Sequence, residues 1–178
     1  MKSFIRSPAR LTMLVCWLHS SCSVAMPAVA VSPVPQCLKA QLSVRLDDRG
    51  GQYDGMSQSG MDLVLHNKAK VPCSLPALPE LSFRDSHHTP LAIARKLSPA
   101  MHPGPVLLPV SVGAGEEVSI TLQWVSSDVF EHGQCIRPVV IALALPDGVL
   151  HRPFERMMCA ASGQTGYYFQ SLVTPSEN

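Results

Sequence analysis

Apolar and polar residues alternate along most of this chain, and a period of two predicts half-buried β-strands. The clearest alternation places Val118, Ile120, Leu122 and Trp124 on one face, with polar residues on the other. We predict that this run is a central strand of the core. Shorter runs predict further strands in residues 42–46, 61–65, 81–83, 91–93, 106–112, 139–145 and 168–173.

The same pattern gives no sign of long helices. No window of about ten or more residues carries an apolar stripe with the 3.6-residue period, and 16 prolines leave few uninterrupted stretches. Pro109 interrupts one apolar run, which predicts an edge strand or a strand that changes sheets. Pro146-Asp147-Gly148 predicts a tight turn. The pattern therefore predicts an all-β fold, an immunoglobulin-like two-sheet antiparallel sandwich of about seven to nine short strands.

The start of the chain has the three-part order of a secretory signal peptide. Three basic residues precede an apolar run at 11–18, and small and polar residues follow it up to Ala25 or Ala30. We expect cleavage after Ala30, with Ala25 as the alternative. The apolar run is about half the roughly 20 residues that cross a bilayer, so no transmembrane helix is expected. Lipid attachment at Cys22 is the alternative form of export.

Export divides the chain into a signal peptide at 1–30, an extended tether at 31–36, a β-sandwich domain at 37–174 and a polar tail at 175–178. Of the 14 basic and 13 acidic residues, only three basic ones lie in the signal peptide, which leaves a mature net charge of −2. Without a basic stripe, nucleic acid is not an expected partner. An envelope protein or a glycan is the expected kind of partner.

Four cysteines remain after the signal peptide, at Cys37, Cys73, Cys135 and Cys159. An even number in an exported chain predicts disulfides and a secreted or periplasmic location. Four cysteines allow three connectivities, and sequence alone does not separate them. We favour Cys37 with Cys73 and Cys135 with Cys159, because each pair closes a loop between neighbouring segments. A redox pair or thiolate metal site would need a Cys-x-x-Cys spacing, which is absent from the sequence.

The cysteines also stand in a recognisable order with their surroundings. The order begins with Cys37 and continues with Leu63-Val64-Leu65-His66-Asn67 and Pro72-Cys73-Ser74-Leu75-Pro76. Gly113-Ala114-Gly115 then precedes the strand that ends at Trp124, and Cys135 and Cys159 come last. In this order the chain resembles the bacterial secreted domain of unknown function 4232 (DUF4232) over residues 37–173. The resemblance implies an exported immunoglobulin-like sandwich without an assigned chemistry, and it brings no catalytic residues.

Enzyme motifs are weak in this chain. The segment nearest to a hydrolase motif is Gly-Met-Ser-Gln-Ser-Gly at 55–60. Its second serine stands where the Gly-x-Ser-x-Gly motif needs glycine, and the segment precedes a strand instead of following one. We therefore interpret it as a loop and expect that the protein is not an enzyme. A hydrolase acting through Ser57 or Ser59 is the contrasting hypothesis.

Histidine and methionine supply the residues for another hypothesis. His87-His88 and Met101-His102 combine imidazole with thioether, a mixture that suits Cu(I), and imidazole also suits zinc. A metal site needs several ligands at one point, however, and no pair here has His-x-His or Met-x-x-Met spacing. We therefore expect no cofactor, and a periplasmic copper or zinc protein is the alternative function.

Aromatic residues near the C-terminus suggest a binding surface. Tyr167 and Tyr168 are adjacent, so in a strand they point to opposite faces and one of them is a candidate for an exposed contact. Trp124 is in phase with its apolar neighbours and is predicted to lie in the core. We expect an exported, non-catalytic domain that binds or scaffolds in the cell envelope, with its edge strands and end loops as the contact surface.

Overall fold

The structure, a computed structural model, describes residues 33–97 and 106–176, with the backbone alone at Leu97. The predicted signal peptide and Cys22 lie outside the described residues. The described part is all-β, with one 3-10 turn at Arg49–Gly51. The strands are β1 Leu42–Asp47, β2 Gln58–Asn67, β3 Cys73–Leu75, β4 Leu81–Arg84, β5 Ile93–Leu97, β6 Val110–Val112, β7 Glu117–Val125, β8 Gln134–Ile136, β9 Val140–Leu145, β10 Gly148–Pro153, β11 Met158–Ala160, β12 Gly166–Gln170 and β13 Thr174–Pro175.

Two sheets form the sandwich that the alternation predicts. The larger sheet has the order β1-β2-β7-β12-β5, and β13 pairs with β7 beyond the end of β12. Its neighbours are antiparallel except β12 and β5, which are parallel. The smaller sheet has the order β10-β9-β4, and two short ladders, β3-β6 and β8-β11, complete the fold. The prediction of an all-β, two-sheet sandwich is confirmed.

The core lies between the sheets and is centred on the β2-β7 pair. Met61 pairs with Leu122, and Leu63 pairs with Ile120, so both strands turn apolar side chains inward at the same positions. β7 has partners on both sides, which confirms that the strand with the clearest alternation is central. Trp124, at the end of this strand, is 2% exposed, as predicted.

Four aromatic side chains from different elements form one cluster in the core. The ring centroid of Phe83 lies 4.9 Å from that of Phe154 and 5.0 Å from that of Tyr168, in edge-to-face geometry. Trp124 lies 5.2 Å from Phe154. Aromatic pairs at these separations add stabilisation beyond the burial of their area. This cluster joins the two sheets.

The predicted and observed strands differ where the alternation is weak. The described residues form 13 strands, more than the seven to nine predicted; eight of them have four or more residues and five have two or three. The strand expected at 91–93 lies further along, at β5, and of the 106–112 run only β6, directly after Pro109, is a strand. The strand expected at 168–173 is β12, after which the chain leaves the ladder. β10 was not predicted, because its apolar residues do not alternate.

The segments at both ends of the described domain are hydrogen bonded to it. In the predicted tether, the carbonyl of Pro35 accepts a hydrogen bond from the Ser74 N–H at 2.8 Å, and Cys37 N–H donates to Ser74 O at 2.9 Å. In the predicted tail, Ser176 N–H donates to Glu117 O at 3.1 Å. None of the described residues forms a helix of the length and apolarity that crossing a bilayer requires.

The two disulfides join Cys37 to Cys73 and Cys135 to Cys159, which confirms the favoured pairing. Cys37 and Cys73 are fully buried and belong to the core. The second bridge joins β8 to β11, and its Cys135 is exposed while Cys159 is buried. The first bridge therefore contributes packing as well as a cross-link.

We predict that removing the buried bridge costs more stability than removing the exposed one. The two bridges span 36 and 24 residues, and chain entropy alone gives each about 3 to 4 kcal/mol. The double substitution Cys37→Ser/Cys73→Ser also buries two hydroxyls in the core, whereas Cys135→Ser/Cys159→Ser buries one. Urea unfolding without reductant measures both losses. A loss from the 37/73 variant no larger than that from the 135/159 variant would contradict this explanation.

Candidate functional site

The two tyrosines proposed for a binding surface differ in their exposure. Tyr168 is 1% exposed and packs in the core, where its place on β12 turns it toward Phe83, so Tyr167 is the one of the pair that remains a candidate for an exposed contact. Tyr167 points the other way and is half-buried. The ammonium of Lys96 lies 3.5 Å from the centre of its ring, and Phe169 packs edge-on at 5.7 Å. Lys96 and Phe169 thus cover part of the Tyr167 surface that remained for binding.

The four proposed metal ligands are not brought together by the described structure. Met101 and His102 lie outside the described residues, and His87 and His88 are exposed in the loop between β4 and β5. Within the described part of the chain, no three His, Cys, Asp or Glu side chains are placed to hold a metal ion. The copper or zinc hypothesis remains a prediction.

His88 has a neighbour that the sequence did not reveal. Its ring lies edge-on to that of His151 on β10, with 6.1 Å between the centroids. Burial lowers the pKa of His151, and the positive charges of Arg84, His88 and Lys39 lower it further. The same charges oppose the approach of a cation.

Three loops meet at one end of the sandwich, which we call the tip. Ser126, after β7, donates its N–H to Ser57 O at 2.8 Å and so holds the β7-β8 loop against the β1-β2 loop. The indole Nε1 of Trp124 donates to Met157 O at 2.9 Å, which fixes the β10-β11 loop to the end of β7. These hydrogen bonds therefore place all three loops next to the end of β7.

Each of these loops presents an exposed apolar side chain. Met56, Val129 and Met157 are 109%, 56% and 37% exposed; together they define the tip surface. The backbone of Met56 has a φ of 40°, a left-handed conformation that is unusual for a residue other than glycine. Glu155, two residues before Met157, has a φ of 43°. Such strained residues occur where the surrounding structure holds them, and they cluster at functional sites.

A cavity of about 370 Å³ opens beside the tip surface, and we call it the tip pocket. Three apolar and four charged side chains supply most of its lining: Leu46, Met61 and Phe154, then Asp47, Asp48, Glu155 and Arg156. Arg156 Nη2 lies 3.6 Å from a carboxylate oxygen of Asp48. This ion pair links the β10-β11 loop to the β1-β2 loop across the pocket. Hydrogen bonds from the Arg49 N–H and the Arg45 guanidinium lower the pKa of Asp47, which keeps this side chain charged in mild acid.

A buried carboxylate lies on the outer face of the larger sheet, the face turned away from the core. Asp62, in the middle of β2, is 2% exposed. Its Oδ2 accepts a hydrogen bond from Arg49 Nε at 2.8 Å, and its Oδ1 accepts from the Tyr53 hydroxyl at 2.9 Å and the Thr121 hydroxyl at 2.8 Å. These three hydrogen bonds stabilise the carboxylate charge, which would otherwise be unfavourable in a buried site of low dielectric.

The β1-β2 loop reaches Asp62 because Gly60 leaves room for it. A Cβ at Gly60 would lie 2.7 Å from Leu122 O and 2.8 Å from the Cβ of Tyr53, so only glycine lets the tyrosine pack over β2. Burial raises the pKa of Tyr53, the hydrogen bond with Thr121 lowers it, and the hydrogen bond to Asp62 raises it again. The phenol therefore stays a donor to the carboxylate at neutral pH.

Sequence reasoning missed this cluster, although one signal was present. An aspartate between Met61 and Leu63 is disfavoured in the middle of a strand unless it has partners. The partners themselves, Arg49 and Tyr53, come from a loop whose path the alternation does not predict. Ser57 and Ser59 were considered instead, and the Ser59 hydroxyl donates to Asp54 Oδ1 at 2.6 Å at the edge of the same loop.

We predict that Asp62→Ala destabilises the domain by about 3 kcal/mol, because it removes the buried acceptor that the Arg49 guanidinium and two hydroxyls share. Asp62→Asn, which keeps one acceptor oxygen, should cost about half as much, and Thr121→Val about 1 kcal/mol. Urea unfolding gives these values, and hydrogen exchange should show faster opening of the β1-β2 loop in Asp62→Ala. Asp54→Ala, at an exposed aspartate, is the matched control. A loss from Asp62→Ala no greater than that from Thr121→Val would contradict the proposed role.

A second prediction concerns Tyr168, whose burial raises its pKa from 10.0 to about 12. The folded state favours the neutral phenol, so its contribution to stability is complete below pH 10 and is lost as the pH rises towards 12. Tyr168→Phe should remove the phenolate absorbance step near pH 12 and make the fall in stability above pH 10 shallower. The same steep fall in the variant would show that another group is responsible.

Comparison with known proteins agrees with the cysteine order and the fold. The profile of the family described as Domain of unknown function (DUF4232) matches residues 37–165, which include both disulfides and the β1-β2 loop. No curated protein and no solved structure matches the chain. Because the match covers most of the sequence, the resemblance seen in the cysteine order is confirmed, and the chain belongs to the DUF4232 family.

Proposed function

We propose that this protein is an exported, non-catalytic binding domain of the cell envelope that contacts a protein partner through its tip surface. One observation carries the proposal: Met56 is fully exposed on a loop that is held in place by its neighbours. The two disulfides support an oxidising compartment, which agrees with export.

The tip surface has the properties of a preorganised interface. Met56 is joined by Val129 and Met157 from two other loops, and clustered apolar side chains on a surface mark interaction sites more often than single ones do. The hydrogen bonds from Ser126 to Ser57 and from Trp124 to Met157 restrict the loops before any partner arrives. A restricted surface loses less conformational entropy on binding, so more of the contact energy appears as affinity.

The tip pocket defines the chemistry of the partner. Leu46, Met61 and Phe154 give it an apolar lining that fits an aliphatic or aromatic anchor residue. The charged groups that line it are three carboxylates and one guanidinium, so a partner with a basic residue beside its anchor is favoured. We therefore expect the partner to present an apolar side chain flanked by lysine or arginine.

Two other surfaces are weaker candidates. The exposed apolar residues at 106–108 adjoin residues 98–105, outside the described part of the chain. The free edge of β5 carries Arg95 and Lys96, and charged side chains on an edge strand oppose pairing with another strand. Neither surface has the combination of exposed apolar side chains and a neighbouring pocket.

The experiment is site-specific photo-crosslinking in the organism that makes the protein. A photoreactive residue replaces Met56 in one variant and Val71 in the other. Val71 is a matched control, because it is 54% exposed and follows the far end of β2. We expect one discrete crosslinked protein from position 56 and none from position 71. Equal crosslinking from both positions, or none from position 56, would contradict the proposed surface.

The identified partner then allows a quantitative test. Met56→Asp should weaken its binding by about 30-fold or more, the effect of a hot-spot residue. Val71→Asp introduces the same charge at the far end and should leave the dissociation constant unchanged. If both variants bind as the unaltered domain does, the tip surface is not the interface.

A further inference from the structure

A second cavity, of about 480 Å³, opens on the outer face of the larger sheet, and we call it the Asp62 pocket. Strands β2, β7 and β13 supply one part of its lining, and the β1-β2 loop supplies the other. The lining residues are Arg49, Gln52, Tyr53, Asp62, Ser119, Thr121, Thr174, Pro175 and Ser176. Its volume lies within the range of pockets that hold small molecules.

The charges of this pocket cancel. Its two charged lining groups are Arg49 and Asp62, which form an ion pair with 2.8 Å between Nε and Oδ2. Both oxygens of Asp62 already accept hydrogen bonds. A metal cation would have to displace these donors, and an anion would meet the carboxylate. The pocket therefore favours a neutral, polar ligand.

Ser119 supplies a polar group to the lining of this pocket. The residue is 6% exposed and lies on the same face of β7 as Thr121, two positions along the strand. Its hydroxyl has no hydrogen-bond partner among the described residues, yet it lines the pocket. The described side-chain atoms that lack a partner and are shielded from solvent are Arg84 Nε and Gln170 Oε1, so the Ser119 oxygen remains open to solvent through the pocket. A ligand hydroxyl in the pocket would replace water at this oxygen.

The rest of the lining is rich in groups that both donate and accept hydrogen bonds. Thr174 and Ser176 contribute hydroxyls to the same lining as Ser119, Gln52 contributes an amide, and Tyr53 contributes an aromatic side chain. Hydroxyl and amide groups match the alternating donors and acceptors of a polyol, and an aromatic ring packs against the C–H face of a sugar. We infer that the Asp62 pocket binds a neutral saccharide unit, either a free sugar or a residue of an envelope glycan.

This site does not depend on the proposed tip interface. Its ligand would contact the outer face of the larger sheet, and the tip pocket shares none of its lining residues. Loss of the crosslink at Met56 would leave the saccharide site unaffected, so the two proposals can fail separately.

Binding is tested on the mature protein by two-dimensional amide NMR. Glucose, galactose and N-acetylglucosamine are titrated as free sugars, and inorganic phosphate and Ca²⁺ are titrated as charged probes. Sedimentation with insoluble cell-wall glycan tests the polymeric source. We expect saturable shifts at Ser119, Thr121 and Thr174 with a neutral sugar, or sedimentation with the glycan, and no shifts at these residues with phosphate or Ca²⁺.

Two substitutions and two matched controls locate the binding. Ser119→Ala removes the free hydroxyl and should weaken binding about tenfold, whereas Thr174→Trp fills the pocket from its exposed rim and should abolish binding. Ser43→Ala, on the same sheet face outside the pocket, and Thr89→Trp, at an exposed loop position, should bind as the unaltered protein does. The NMR spectrum of each variant reports whether it is folded.

Each outcome either supports or overturns the inference of a saccharide site. Shifts with free sugars identify a solute site, and sedimentation with glycan alone identifies a polymer site; both support a saccharide unit in the Asp62 pocket. The inference is overturned if neither kind of saccharide binds, if Thr174→Trp binds normally, or if phosphate or Ca²⁺ shifts the pocket residues instead.

Discussion

The position of the β1-β2 loop depends on one buried carboxylate. Asp62 lies in a strand whose adjacent residues, Met61 and Leu63, belong to the core, so its side chain must point to the opposite face. There it gathers Arg49 and Tyr53 from the loop and Thr121 from β7. A charge this deeply buried depends on these partners, because losing one of them leaves part of the charge uncompensated and lowers stability. The loop is therefore fixed by an electrostatic requirement of the strand beneath it.

The same loop forms a wall of both pockets. Arg49 turns towards Asp62 and lines the Asp62 pocket, whereas Asp48, the residue before it, contacts Arg156 and lines the tip pocket. Because the two residues are adjacent, a movement that displaces one displaces the other. The exposed ion pair at Asp48 is weak, so the buried pair at Arg49 is the stronger restraint on the loop. The shape of the tip pocket thus depends on an interaction outside it.

The sequence predicts those parts of this fold that depend on a single strand. The alternation from Val118 to Trp124 identifies the central strand because every second residue faces the core. The alternation in β2 also implies that Asp62 lies on the face of the sheet opposite the core. The sequence does not predict which loop covers that aspartate, because Tyr53 can pack over the strand only where Gly60 has no side chain. Nor does it predict the tip surface, which arises from three loops that are far apart in sequence.

The three tip loops are restrained by different kinds of interaction. The β7-β8 loop ends directly before β8, and the β10-β11 loop ends directly before β11; the bridge from Cys135 to Cys159 joins these two strands. A covalent link at the bases of two loops limits their freedom whatever the pH or salt concentration. The β1-β2 loop is held without a disulfide in the described structure, by the Asp62 cluster, the ion pair between Asp48 and Arg156 and the hydrogen bond between Ser57 and Ser126. Met56 therefore lies on the loop whose restraints open more easily than the disulfide does. The three loops of the tip surface thus differ in local stability.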